Sequence, residues 1–181
     1  MFADQFCINT LNAFLFGHGP ASPTLADVLM LTGLDISTVD DSHLYDRKPE
    51  RKVETRNIGG WSGYIQKYQR TRPVGQREHA IFLNMWLDKF VFCGRSVGPT
   101  SVSAAERLVD DGRFPLGRYL LSSTYHLLHQ VARKLLLGEP IGNLGGPWWF
   151  INMWLMFICT NASGSTFSHS DSPEISLKIM N

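Results

Sequence analysis

More than half of the lysines and arginines of this chain crowd into one stretch. Between Arg47 and Arg77 there are nine basic residues (Arg47, Lys48, Arg51, Lys52, Arg56, Lys67, Arg70, Arg72 and Arg77) against two acidic ones, Glu50 and Glu54, a local surplus of +7. The formal charge of the whole chain is +1, so everything else sums to −6. Trp61, Tyr64 and Tyr68 interleave with the cations. Cationic groups beside aromatic faces suit a phosphate backbone carrying unstacked bases, or an acidic protein surface. The candidate contacts are Arg47, Lys48, Arg51, Lys52, Arg56, Trp61, Tyr64, Lys67, Arg70 and Arg72. The same pattern also reads as a solvated charged loop leading into a helix whose aromatics pack inward.

Elsewhere the candidates are sparse. His126 and His129, three apart, would share one side of a helix with Gln130 and Arg133, so both imidazoles could address one cation in metal-assisted chemistry. A zinc site needs a third and usually a fourth ligand, and no spaced cysteine or carboxylate accompanies the pair, so a polar stripe explains it better. His18, His43, His79 and His169 stand alone, with no patterned Cys, Ser or Asp neighbour to mark a nucleophile. Cys7, Cys93 and Cys159 are far apart and form no CxxC, which fits a reducing compartment. Gly17-His18-Gly19 and the run from Gly142 to Gly146 neither follow a strand nor precede a Lys-Ser/Thr pair, so neither supports a nucleotide phosphate loop.

The elements that must carry these residues are punctuated as helices. Thr24, with Asp27 three residues on, makes a capping box ahead of Leu25, Val28 and Leu29, and Gly33 supplies the stop. Asp4 to Phe16 has roughly helical apolar spacing up to Gly17. From Gln76 to Cys93, Ile81, Met85, Trp86, Lys89 and Phe90 follow the helical period. Phe82, Leu83, Leu87 and Val91 extend the apolar surface around most of the circumference, which predicts a central helix. Thr100 opens a further helix that ends at Gly112; Pro115 starts the longest one, running to Gly138; and Gly145-Gly146-Pro147 opens a Trp-rich helix. Residues 35–60 are polar and charged, as is expected of a long internal loop.

A chain of 181 residues, 44% hydrophobic and 18% charged, can bury one ordinary core and is short for two domains. No charged n-region precedes the first apolar stretch, and the most apolar run, Trp148 to Cys159, is too short for a membrane span, so neither secretion nor a membrane is expected. No segment alternates with period two for long. The fold expected is mainly α: a single irregular helical domain with a charged internal loop and a loose C-terminal tail. The core is expected to include Leu25, Val28, Leu29, Trp86, Leu128, Val131 and Trp149.

Three runs carry a family resemblance: Pro23 to Leu34 (PTLADVLMLTGL), Glu78 to Leu87 (EHAIFLNMWL) and Gly145 to Phe150 (GGPWWF). In that order, over roughly residues 1–160, the sequence resembles the plant mobile domain family, whose members are often labelled aminotransferase-like. The resemblance implies a helical domain of transposable elements and of host genes descended from them, including proteins of the MAINTENANCE OF MERISTEMS type. It further implies a nuclear location, protein partners, and roles in genome stability, transposon silencing and meristem maintenance; no catalytic residues come with it. Residues 1–160 are then expected to be a partial domain with its basic loop at about 35–75. After Thr160 the pattern dissolves into a polar tail, 161–181, as in a truncated copy.

The aminotransferase label fails on chemistry. Pyridoxal phosphate needs a Schiff-base lysine, a phosphate cup and an acidic partner for its ring nitrogen. Of the six lysines, Lys48, Lys52 and Lys67 fall in the basic stretch, Lys178 lies in the tail, and Lys89 and Lys134 sit on helices with no glycine-rich cradle beside them. The expectation is a non-enzymatic interaction module with no cofactor, no small-molecule substrate and no membrane partner, with nucleic-acid binding through residues 47–77 as the alternative.

Overall fold

The computed structural model describes residues 12–16, 19–37, 53–54, 58–69, 73–94, 100–110, 112 and 114–163. Two short strands, β1 (Phe14–Phe16) and β2 (Gly19–Ala21), precede six helices: α1 (Leu25–Thr32), α2 (Gly60–Tyr68), α3 (Gln76–Trp86), α4 (Thr100–Asp110), α5 (Leu116–Leu136) and α6 (Trp148–Ser163). A π-helical segment, Leu87–Val91, continues α3. The fold is mainly α, as the periodicity predicts.

The first helix expected from the sequence is not what residues 14–16 form. They pair antiparallel with β2, in the register Phe14 to Ala21 and Phe16 to Gly19. Period-two geometry sends Phe14 and Phe16 to one side, where both rings meet Trp154 of α6 at centroid distances of 5.7 and 6.3 Å. Packing against a distant indole overrides the local helical spacing. Residues 4–11 lie outside the described residues.

Local chemistry fixes the ends of α1. Asp27 N donates to Thr24 Oγ1 at 3.3 Å while Thr24 N donates to Asp27 Oδ2 at 2.7 Å, and Gly33 closes the helix in the left-handed region at φ 68°. Beyond it the chain crosses the start of α5. Gly117 N donates to Asp35 O at 2.9 Å and Arg118 Nε to Ile36 O at 2.8 Å, so donors of the first turn of α5 are satisfied by the segment lying across it.

The main core gathers Val28 of α1, Leu87 and Val91 of the π-helical segment, Ala104 and Ala105 of α4, Leu120 of α5 and Phe150 of α6. A second cluster joins Leu127, Leu128 and Val131 of α5 to Ile151 of α6. A third, smaller one joins Tyr64 of α2 to Ile81 and Met85 of α3. Of the residues expected in the core, Val28, Leu128 and Val131 are buried and Leu25 is half-buried. Leu29, Trp86 and Trp149 are not core residues: they keep 46%, 42% and 36% of their surface exposed. The deeply buried tryptophan is Trp154, 1% exposed. Among the described residues, no helix is long and apolar enough to cross a membrane.

Candidate interaction face

Of the ten candidate contacts, Arg47, Lys48, Arg51, Lys52, Arg56, Arg70 and Arg72 lie outside the described residues. The other three stand on α2, within the stretch expected as the basic loop. Trp61, Tyr64 and Tyr68 recur at helical spacing, so one face of α2 turns all three rings toward Ile81 and Met85. Tyr64 is 1% exposed. Its hydroxyl donates to Ile81 O at 3.3 Å and accepts from Asn84 Nδ2 at 3.0 Å. Asn84 Oδ1 in turn accepts from Ser101 Oγ at 2.6 Å, giving a buried polar chain through α2, α3 and α4.

Burial pushes the Tyr64 phenol up to about 12, against the opposing effect of the Asn84 hydrogen bond, with the charges of Tyr68 and Asp88 raising it further. Tyr64 is therefore a neutral structural group, closed to an outside ligand. Trp61 is half-buried in the same cluster. Lys67 is exposed and ion-paired with Glu54. That hydrogen bond and charge hold the Glu54 carboxyl below its usual range and the Lys67 ammonium above its own. The described aromatics of the basic stretch thus pack inward, as the second reading of that pattern has it.

The outward aromatics lie on the next helix. Phe82 (54% exposed), Trp86 (42%) and Phe90 (54%) follow one another at i, i+4 and i+8 along α3 and its π-helical continuation, on the side opposite Ala80, Asn84 and Leu87. Sequence reasoning missed this face because apolar residues encircle the helix, and a fully apolar circumference reads as central. The signal was the surplus itself: the buried face was complete without Phe82, Trp86 and Phe90.

Two features hold the end of this face. Phe92 N donates to Leu87 O at 2.8 Å, a five-residue step that widens the last turn. Trp149 Nε1 donates to Val91 O at 2.8 Å, satisfying a carbonyl at the helix end and locking α6 against it. Lys89 Nζ lies 5.3 Å from the Phe90 ring centroid, a cation–π contact at the solvent edge.

Among the described residues, the remaining candidates lie apart from one another. His126 and His129 are both exposed, and His126 Nε2 lies 2.7 Å from Gln130 Nε2. Among the described residues, no group of three or more His, Cys, Asp or Glu side chains could hold a metal ion. A cleft of about 460 Å³ between Cys93 and Trp148 is walled by residues 143–146, where Gly146 N donates to Cys93 O at 2.9 Å. Burial raises the Cys93 thiol, the opposite of what an activated nucleophile needs. Lys134 donates to Pro140 O at 3.2 Å.

No curated protein and no solved structure matches this chain. The sequence profile of the plant mobile domain matches residues 2–177 of the 181, taking in all of the helices that build the face and most of the polar segment after Thr160. The match spans nearly the whole chain, and the chain belongs to the plant mobile domain family.

Proposed function

We propose that this chain is a non-enzymatic protein-interaction domain that meets its partners through the aromatic face of α3. The supporting observation is the face itself: two phenylalanines and a tryptophan in solvent, within nine residues, along a helix and its π-helical continuation whose opposite side is buried. Aromatic side chains in solvent are costly unless they serve a contact, and Trp and Phe are enriched where protein surfaces meet. Membership of a transposon-related family supports a setting in the nucleus, where the domain would serve genome stability, transposon silencing and meristem maintenance. The domain contributes binding there, and any chemistry belongs to its partners.

The test is affinity capture from plant nuclear extract with the intact chain and with Phe82→Ala/Phe90→Ala. The reading expects a defined set of proteins to co-purify with the first and to be lost with the second. Capture indifferent to the two substitutions would sink it.

A further inference from the structure

We infer that Trp149 is a positioning residue for the α3 face: its indole holds the π-helical turn that brings Phe90 back into line with Phe82 and Trp86. This rests on the interaction reading above and adds what sets the geometry of the face. A turn closed at i+5 takes about one residue more than an α-helical turn, so each residue advances by about 80° instead of about 100°. From Phe82 to Trp86, within α3, the chain advances about 400°, roughly 40° beyond a full turn. From Trp86 to Phe90 it runs through the wide turn and advances about 320°, roughly 40° short of one. The two offsets cancel, and Phe90 stands in line with Phe82. In an unbroken α-helix it would lie about 80° round the axis.

Wide turns are rare and persist where their surroundings hold them. In the regular spacing Phe92 N would meet Asp88 O. That carbonyl instead accepts from Gly94 N at 2.8 Å, with Cys93 between them in the left-handed region at φ 48°. The entry to α6 takes two more carbonyls: Gly146 N donates to Cys93 O at 2.9 Å, and Trp149 Nε1 donates to Val91 O at 2.8 Å. Of these contacts only that of Trp149 comes from a side chain, and it grips the last residue of the turn itself. Without it Val91 O is an unsatisfied acceptor at a helix end, and the regular i→i+4 ladder is the way open to satisfy it. Phe90 would then swing out of the strip.

The experiment is nuclear magnetic resonance of the whole chain, reading the scalar coupling across the hydrogen bond from Phe92 N to the Leu87 carbonyl. Trp149→Phe keeps a ring against Phe150 and removes the donor. Trp149 is 36% exposed, and Phe150, Ile151 and Trp154 still bury α6, so the variant keeps its helical circular dichroism. Trp148→Phe is the control: the Trp148 indole donates to Leu144 O at 2.9 Å, so the substitution removes a donor from the same helix end away from the turn. The parent and the control are expected to show the coupling. Trp149→Phe is expected to lose it and to gain one from Phe92 N to the Asp88 carbonyl. A coupling that persists in Trp149→Phe, or is lost equally in the control, overturns the role of Trp149; a parent without it overturns the wide turn. In capture from nuclear extract, Trp149→Phe should hold the partners of the parent at least about threefold more weakly, as for an anchor turned out of line. Undiminished capture by a Trp149→Phe chain that has lost the wide turn also overturns the inference. Capture indifferent to Phe82→Ala/Phe90→Ala sinks the interaction reading instead, while the couplings still decide whether Trp149 holds the turn.

Discussion

Asn84 is fully buried and has a hydrogen-bonding partner at each end of its amide, Tyr64 OH on α2 and Ser101 Oγ on α4. Removing the amide costs both bonds and deprives the Ser101 hydroxyl of its acceptor where water does not reach. Asn84→Ala should therefore destabilise the protein by about 2–4 kcal/mol, and Ser101→Ala by less, since Asn84 keeps Tyr64. Urea denaturation of the two variants would show it; an Asn84→Ala midpoint within error of the parent would mean that the chain of bonds is idle. Tyr64 adds a pH dependence. Its folded pKa, about 12, lies above the ordinary value of 10, so between those limits the unfolded chain releases a proton that the folded one keeps. The contribution is complete below pH 10 and declines toward pH 12. Tyr64→Phe should be less stable at neutral pH yet lose less stability over that alkaline window, measured as the change in denaturation midpoint.

At the level of elements, the start of α5 depends on a missing side chain. A Cβ at Gly117 would lie 2.7 Å from Ile36 Cγ2, 3.0 Å from Asp35 O and 3.2 Å from Leu34 O, and two of these three are backbone atoms that cannot step aside. Alanine inside a helix gains about 1 kcal/mol over glycine, whereas overpacking costs about 1–3 kcal/mol, so Gly117→Ala should be a net loss. A melting temperature equal to or above the parent's would show that the crossing segment yields freely. The sequence carries the reasons for α1 openly, because Thr24, Asp27 and Gly33 act on backbone groups within one turn. Pro115 and Pro147 mark α5 and α6 for the same reason. What local pattern could not carry is partnership. Phe14 and Phe16 form a strand because Trp154, far along the chain, receives them, and Phe82, Trp86 and Phe90 face solvent because α2 and α4 occupy the other sides of α3. The basic stretch was visible as charge, while the inward turn of Trp61 and Tyr64 depended on Ile81 and Met85 across the helix pair.

Taken whole, the molecule is unevenly secured. α5, with 21 residues, buries Gly117, Leu120, Thr124, Leu127, Leu128, Val131 and Ala132, and its length crosses two of the three clusters. α2 has nine residues and buries Tyr64 alone, in a cluster that does not merge with the main core. Local opening draws on such elements, since little apolar area is lost when they lift away. Native-state hydrogen exchange should accordingly find the amides of α2 opening at a free energy well below that of α5, whose slowest amides report global unfolding. Lifting α2 would uncover Ile81 and Met85, which adjoin Phe82 and Trp86 on α3, so the least secured helix borders the proposed contact surface and its release would widen it. Equal protection of the two helices would mean that the polar chain through Asn84 binds α2 as firmly as the core binds α5, and the aromatic strip would then be the full extent of that surface.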